Sequence, residues 1–229
     1  MDMVQSIGIG YIVLQVFALV GWPLAFAWLR HLPSRGYAAA KGLGLLLTGV
    51  VFWWGGSLRL WSNTIAAVLT AAGIVLGLGL WSMRGRWREV GPWVRKRWRL
   101  LVTAESLFLL MFVGWAWVRA SQPQLQTAGG EKWMEIAFLN AVLRAPHMPP
   151  HDPWLSGFAI SYYYLGYLLL GLFTRLSALP ASIAFNVGNA GWYALTAVGG
   201  YGLVYDLLGG TGVLRALCGP LLLLLTGHR

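Results

Sequence analysis

The sequence predicts an all-α, polytopic integral membrane protein of about seven transmembrane helices, with one large external loop that carries an interfacial helix. Three observations lead there. Of the 229 residues, 58% are hydrophobic and only 10% are charged, whereas a soluble domain carries about a quarter charged residues. Apolar runs of roughly 17–25 residues, long enough to cross a bilayer, recur along the chain. The 14 Trp and 9 Tyr suit interfacial aromatic belts, and the 30 Gly suit close helix packing in lipid.

The formal net charge is +10. In a soluble chain that balance would suggest nucleic acid. Here the basic run lies between apolar spans, so Lys and Arg mark cytoplasmic loops and anionic headgroups, and nucleic acid is not an expected partner. Membrane lipids are. The single cysteine, Cys218, excludes an internal disulfide. The N-terminus has no basic leader, and its first apolar stretch is too long for a cleavable signal.

The expected spans run over 7–29 with a kink at Pro23, 38–58, 65–81, 100–118, 158–176, 182–208 and 213–225. The pairs Gly42/Gly44 and Gly199/Gly200 read as packing devices rather than phosphate loops, because they sit inside spans with no preceding strand. The loop 84–99 holds Arg84, Arg86, Arg88, Arg95, Lys96, Arg97 and Arg99, which makes it cytoplasmic and the N-terminus external. Counting forward places 119–157 outside and Asp206 near the outer end of the sixth span. The chain divides into 1–99, three spans with the basic loop, and 100–229. Its abrupt stop after the seventh span reads as the end of a fragment.

The external loop contains most of the candidate chemistry. Glu131 to Arg144 reads as a helix with acids in its first turn and Arg144 in its last, which suits the helix dipole. Its nearly continuous apolar residues fit a helix lying in the interface. Glu131 and Glu135 are four apart and share a face. Pro149, Pro150 and Pro153 then forbid regular helix and leave a stiff loop presenting His147, His151 and Asp152. A His-x-x-x-His pair makes a metal site mainly on a helix, so these histidines read first as polar loop residues. Tyr162, Tyr163 and Tyr164 fall at the outer end of the fifth span, as an aromatic belt or as substrate contacts. On a helix their hydroxyls, about 100° apart, cannot share one partner. Glu105 and Asp206 stand out because ionisable groups inside spans are expensive. Glu105 is placed to pair with the basic loop.

The run Gly130-Glu131-Lys132-x-Met134-Glu135-x-Ala137-Phe138-Leu139-Asn140 is followed by Pro149-Pro150-x-Asp152-Pro153-Trp154-Leu155-x-Gly157, and then by Tyr162-Tyr163-Tyr164-x-Gly166-Tyr167. Together with Ala184-Phe185-Asn186 it resembles an uncharacterised family of multi-spanning membrane proteins of Chloroflexi and archaea, labelled by a Tyr-Tyr-Tyr signature. The resemblance covers about residues 100–210. That family in turn resembles the GT-C membrane glycosyltransferases. These share an external first loop with an acid near its start, an interfacial helix and a proline-rich element.

The resemblance implies a partial GT-C-like module in 100–229 and a sugar donor carried on polyprenyl phosphate. It implies Glu131 as general base, with Glu135 as second choice and Asp152 as a further loop acid. The commoner GT-C pattern often has Asp at or next to the first acid, and here Gly130 precedes Glu131. Lys132, Arg119 and Arg144 are outer-side cations for a phosphate, and Tyr162, Tyr163 and Tyr164 are candidate substrate contacts. The resemblance leaves room for a divalent metal ion and names no protein partner. A non-catalytic membrane subunit fits the same spans. A transporter would need polar residues along several spans, and these spans are nearly free of them.

Overall fold

The structure is a computed structural model that describes residues 2–121, 132–155 and 157–226. Among the described residues every regular element is a helix. These are α1 Met3–Trp28, α2 Ala40–Ser57, α3 Ile65–Ser82, α4 Trp87–Ser121, α5 Lys132–Arg144, α6 Leu165–Ser177, α7 Ala181–Leu207 and α8 Cys218–Thr226. Single 3₁₀ turns, Tyr37–Ala39 and Arg215–Leu217, lead into α2 and α8.

Four helices are long and apolar enough to cross a membrane: α1, α2 with its leading turn, α3 and α4. The count rises to five if α6 and α7, bent by 114° to each other, form one broken span. The expected count was about seven, and the difference has a physical source. α6 has only 13 residues, about 20 Å at the helical rise, too short for a hydrocarbon core of about 30 Å. It ends at Ala178, which is left-handed at φ 53, and the chain turns through Leu179 and Pro180 directly into α7.

The direction of α7 follows from its polar partners. At its start, Asn186 accepts hydrogen bonds from Nε (3.0 Å) and Nη2 of Arg119, in the last turn of α4. At its finish, Arg97 Nη1 donates to the Tyr205 hydroxyl at 2.9 Å and to the Gly210 carbonyl at 2.6 Å. α4 and α7 are therefore antiparallel. Asp206 belongs to the basic end, not the opposite one: Oδ1 accepts the Ser34 N–H at 2.7 Å and Oδ2 the Ser34 hydroxyl at 2.6 Å. Arg35 pairs with Glu89 at 2.7 Å on the same end. Sequence counting reversed this helix because it took 158–176 for a complete crossing.

The α1–α2 contact depends on two glycines. A Cβ at Gly44 would sit 1.9 Å from the Phe17 carbonyl oxygen, and one at Gly21 would sit 2.2 Å from that of Ala40. Gly44 is thus a packing residue, as expected, whereas Gly42 meets nothing within 4 Å. Pro23 lies inside an unbroken α1, and the break falls instead at Arg97 in α4, where φ −113 and ψ 17 leave the helical region.

One ion pair ties three helices. Lys41, only 4% exposed, places Nζ 2.5 Å from Glu105 Oε1. The same oxygen accepts the Tyr37 hydroxyl at 2.9 Å, and Oε2 accepts Gln15 Nε2 at 3.1 Å. Lys41 also stands 4.8 Å from the Phe108 ring centroid. Glu105 thus pairs with Lys41 rather than with the basic loop. Removing one member strands a buried charge. We expect Glu105→Leu to lose about 3 kcal/mol in denaturant unfolding, and Lys41→Met/Glu105→Leu to recover most of it. Equal stability of Glu105→Leu and wild type would contradict this role.

Candidate functional site

The site is built at the end of the bundle opposite the basic loop. α5 is anchored there by its last turn, whose carbonyls have no helical partner of their own. Asn63, between α2 and α3, donates from Nδ2 to the carbonyls of Val142 (2.7 Å) and Ala145 (2.8 Å), and from its N–H to Pro146 O (2.8 Å). Arg175 Nη2 donates to Leu143 O at 2.6 Å. His147 Nδ1 stands 3.2 Å from Trp61 O. Val142 packs against Gly171 of α6, where an added Cβ would meet it at 2.9 Å.

The proline loop forms a compact turn. Asp152 Oδ1 accepts the N–H groups of Trp154 (2.8 Å) and Leu155 (2.9 Å), and the Asp152 N–H donates to Phe158 O at 2.8 Å. Ile160 N–H donates to Pro150 O at 3.0 Å. His147 is half-buried against Trp61 while His151 is exposed. Among the described residues no three His, Cys, Asp or Glu groups gather to hold a metal.

An aromatic cluster covers this end. Phe138 of α5 is buried, with Trp154 edge-on at 5.5 Å, Tyr162 stacked at 5.5 Å and Tyr167 tilted at 5.4 Å. Residues 158–164 are not helical, so the helical separation expected of the three tyrosines does not apply. Tyr162 and Tyr163 stack with centroids 3.9 Å apart, and the Tyr162 hydroxyl donates to that of Tyr163. Tyr164 turns the other way, where Trp53 Nε1 donates to its hydroxyl. Burial raises the Tyr164 hydroxyl above its ordinary pKa, and the bond from Trp53 works against that rise.

Two cavities open beside these rings. One, of about 380 Å³, is lined by Trp53, Trp54, Tyr162, Tyr163 and Tyr164. The other, of about 210 Å³, is lined by Glu135, Tyr163, Tyr167, Asn189 and Trp192. Tyr163, 75% exposed, borders both. Glu135 is in the first turn of α5 and half-buried. Among the described residues it has no ion pair. A carboxylate, an amide and several aromatic faces around one small cavity suit a polyhydroxylated ring, whose C–H face stacks while its hydroxyls are hydrogen-bonded.

The structure thus brings Glu135 and Tyr163 to one cavity and Tyr162 and Tyr164 to its neighbour. Asp152 is engaged in its turn. Lys132 begins α5, and Arg144 is exposed at its far end; neither lines these cavities. Glu131 lies outside the described residues. Arg119 lines a different cavity, of about 390 Å³, with Met3, Ser6, Ser182 and Asn186, on another face of α7. Sequence reasoning missed Trp53, Trp54, Asn189 and Trp192. Asn189 carried a usable signal, a polar side chain inside an apolar run. The tryptophans were indistinguishable from an ordinary belt.

Fold and site together define an all-helical integral membrane protein with an aromatic, carboxylate-bearing cleft at one end. The family model of uncharacterized membrane proteins designated DUF2298 matches residues 47–228, and the chain belongs to that family. No curated protein and no solved structure matches it.

The anchoring of α5 can be tested directly. Asn63→Ala removes two bonds to carbonyls at the α5 end and should lower stability by about 1–3 kcal/mol, with faster amide exchange in 138–146. Unchanged exchange there would show that the Asn63 side chain does not hold the end of α5.

Proposed function

We propose that the protein transfers a sugar from a polyprenyl-phosphate donor to an acceptor at the outer face of the plasma membrane, as the GT-C glycosyltransferases do. The observation that carries this reading is Glu135, a carboxylate without an ion pair among the described residues, lining a cavity with Tyr163, Tyr167, Asn189 and Trp192. The resemblance of the loop to the GT-C pattern points the same way.

In this reading the carboxylate takes the proton of an acceptor hydroxyl as its oxygen attacks the anomeric carbon. The bond from that carbon to the phosphate oxygen breaks, polyprenyl phosphate leaves and the configuration inverts. A general base must reach the acceptor proton, and Glu135 is on the cavity wall. Glu131, four residues earlier in the sequence, is the alternative base. The aromatic faces of Tyr162, Tyr163 and Tyr164 hold the sugar, and Lys132, at the same end of α5 as Glu135, is the nearer cation for the donor phosphate, with Arg144 at the far end of the helix. The excess of Lys and Arg on 84–99 supports a cytoplasmic basic end, with the N-terminus and the cleft outside.

The test is glycosyl transfer by membranes containing the full-length protein and a polyprenyl-phosphate sugar. Loss of a general base slows such steps roughly 10²–10⁴-fold, and that loss is expected for Glu135→Gln, with a milder defect for Tyr163→Ala. Loss only in Glu131→Gln moves the base to Glu131. Undiminished transfer in both Gln variants overturns the assignment of either carboxylate as base and leaves a non-catalytic membrane subunit as the better account.

A further inference from the structure

A second cleft lies at the opposite, basic end, and it owes nothing to the glycosyl-transfer reading. It is assembled by the break in α4. Because Arg97 leaves helical geometry, its guanidinium reaches the turn after α7 and binds the Gly210 carbonyl at 2.6 Å. That turn requires glycine: Gly209, Gly210 and Gly212 have φ of +65, +76 and +74, a region that L side chains rarely enter. The turn carries the chain back beside α4. Arg215 then stands across a cavity of about 580 Å³ from Trp98, Arg99, Val102 and Thr103.

Each wall carries one arginine and apolar side chains. Arg99 and Arg215 are both exposed, and Arg99 stands 5.5 Å from the Trp98 ring centroid. Val102 on the α4 side and Leu214 on the other are apolar and 55% and 76% exposed. The acids at this end are already committed. Glu89 pairs with Arg35, and Asp206 holds Ser34. Among the described residues no acid pairs with Arg99 or Arg215. Two uncompensated guanidiniums above an exposed apolar wall, at the end of a membrane-length helix, match an amphiphile with an anionic head. Arg is also the side chain best shaped to grip phosphate oxygens in pairs.

We propose that this cleft binds the phosphate headgroup of an anionic phospholipid. Arg99 and Arg215 hold the phosphate, Trp98 sits at the headgroup level and an acyl chain lies along Val102 and Leu214. The lipid thereby joins α4 to the segment entering α8.

Native mass spectrometry of the full chain, released from equimolar phosphatidylglycerol and phosphatidylcholine, tests this. Wild type should retain phosphatidylglycerol preferentially. Arg99→Gln/Arg215→Gln should bind it about thirty-fold more weakly. Arg95→Gln/Lys96→Gln removes the same charge at the same end but outside the cleft and should retain it as wild type does. Equal retention of the two lipids by wild type, or equal losses in the two double variants, would overturn the proposal.

Discussion

The antiparallel clamp of α4 on α7 fixes the rest of the molecule. Arg119 holds the start of α7 through Asn186, and Arg97 holds its finish through Tyr205 and Gly210. With both ends tied to one helix, α7 can run in only one direction. The segment before it must then enter from the end where α4 finishes. α6 therefore lies folded back on the bundle as a short helix, and α5 packs across it. The aromatic cleft stands where these three helices meet. It is a product of topology as much as of the residues that line it.

Charge is distributed according to the same logic. Four of the described acids have a stated task. Glu105 answers Lys41 inside it, Glu89 answers Arg35, Asp206 fastens the first loop, and Asp152 closes its own turn. Buried ionic groups are tolerated when they are paired and hydrogen-bonded, and the Glu105 carboxylate accepts three donors. Glu135 has no such task among the described residues. That contrast sets it apart from these four.

Much of the architecture was legible in the sequence. The first four spans, the helix over 132–144 and the packing role of Gly44 all follow from hydropathy, helix-end charges and small-residue spacing. The break came at 158–176, where an apolar stretch looked like a membrane crossing. Hydropathy measures solvation and not direction, and the helix in this stretch packs against α1, α2 and α5 and is too short to cross a bilayer by itself. One miscounted crossing then placed Asp206 at the wrong end. Likewise, the tyrosine run was legible as a landmark, but its geometry depended on residues 158–164 not being helical. The partnership of Tyr163 with Glu135 and Trp192 joins residues from three separate segments, and no local spacing encodes it.

The direction of α7 is the claim on which the rest stands, and residue accessibility tests it in one experiment. In a Cys218→Ser background, single cysteines at Ser62 and Gly209 are treated in intact cells with an impermeant thiol reagent. The account predicts that Ser62→Cys reacts and that Gly209→Cys reacts only after the membrane is opened. Reaction of both in intact cells would put the finish of α7 on the side of the aromatic cleft and contradict the antiparallel clamp.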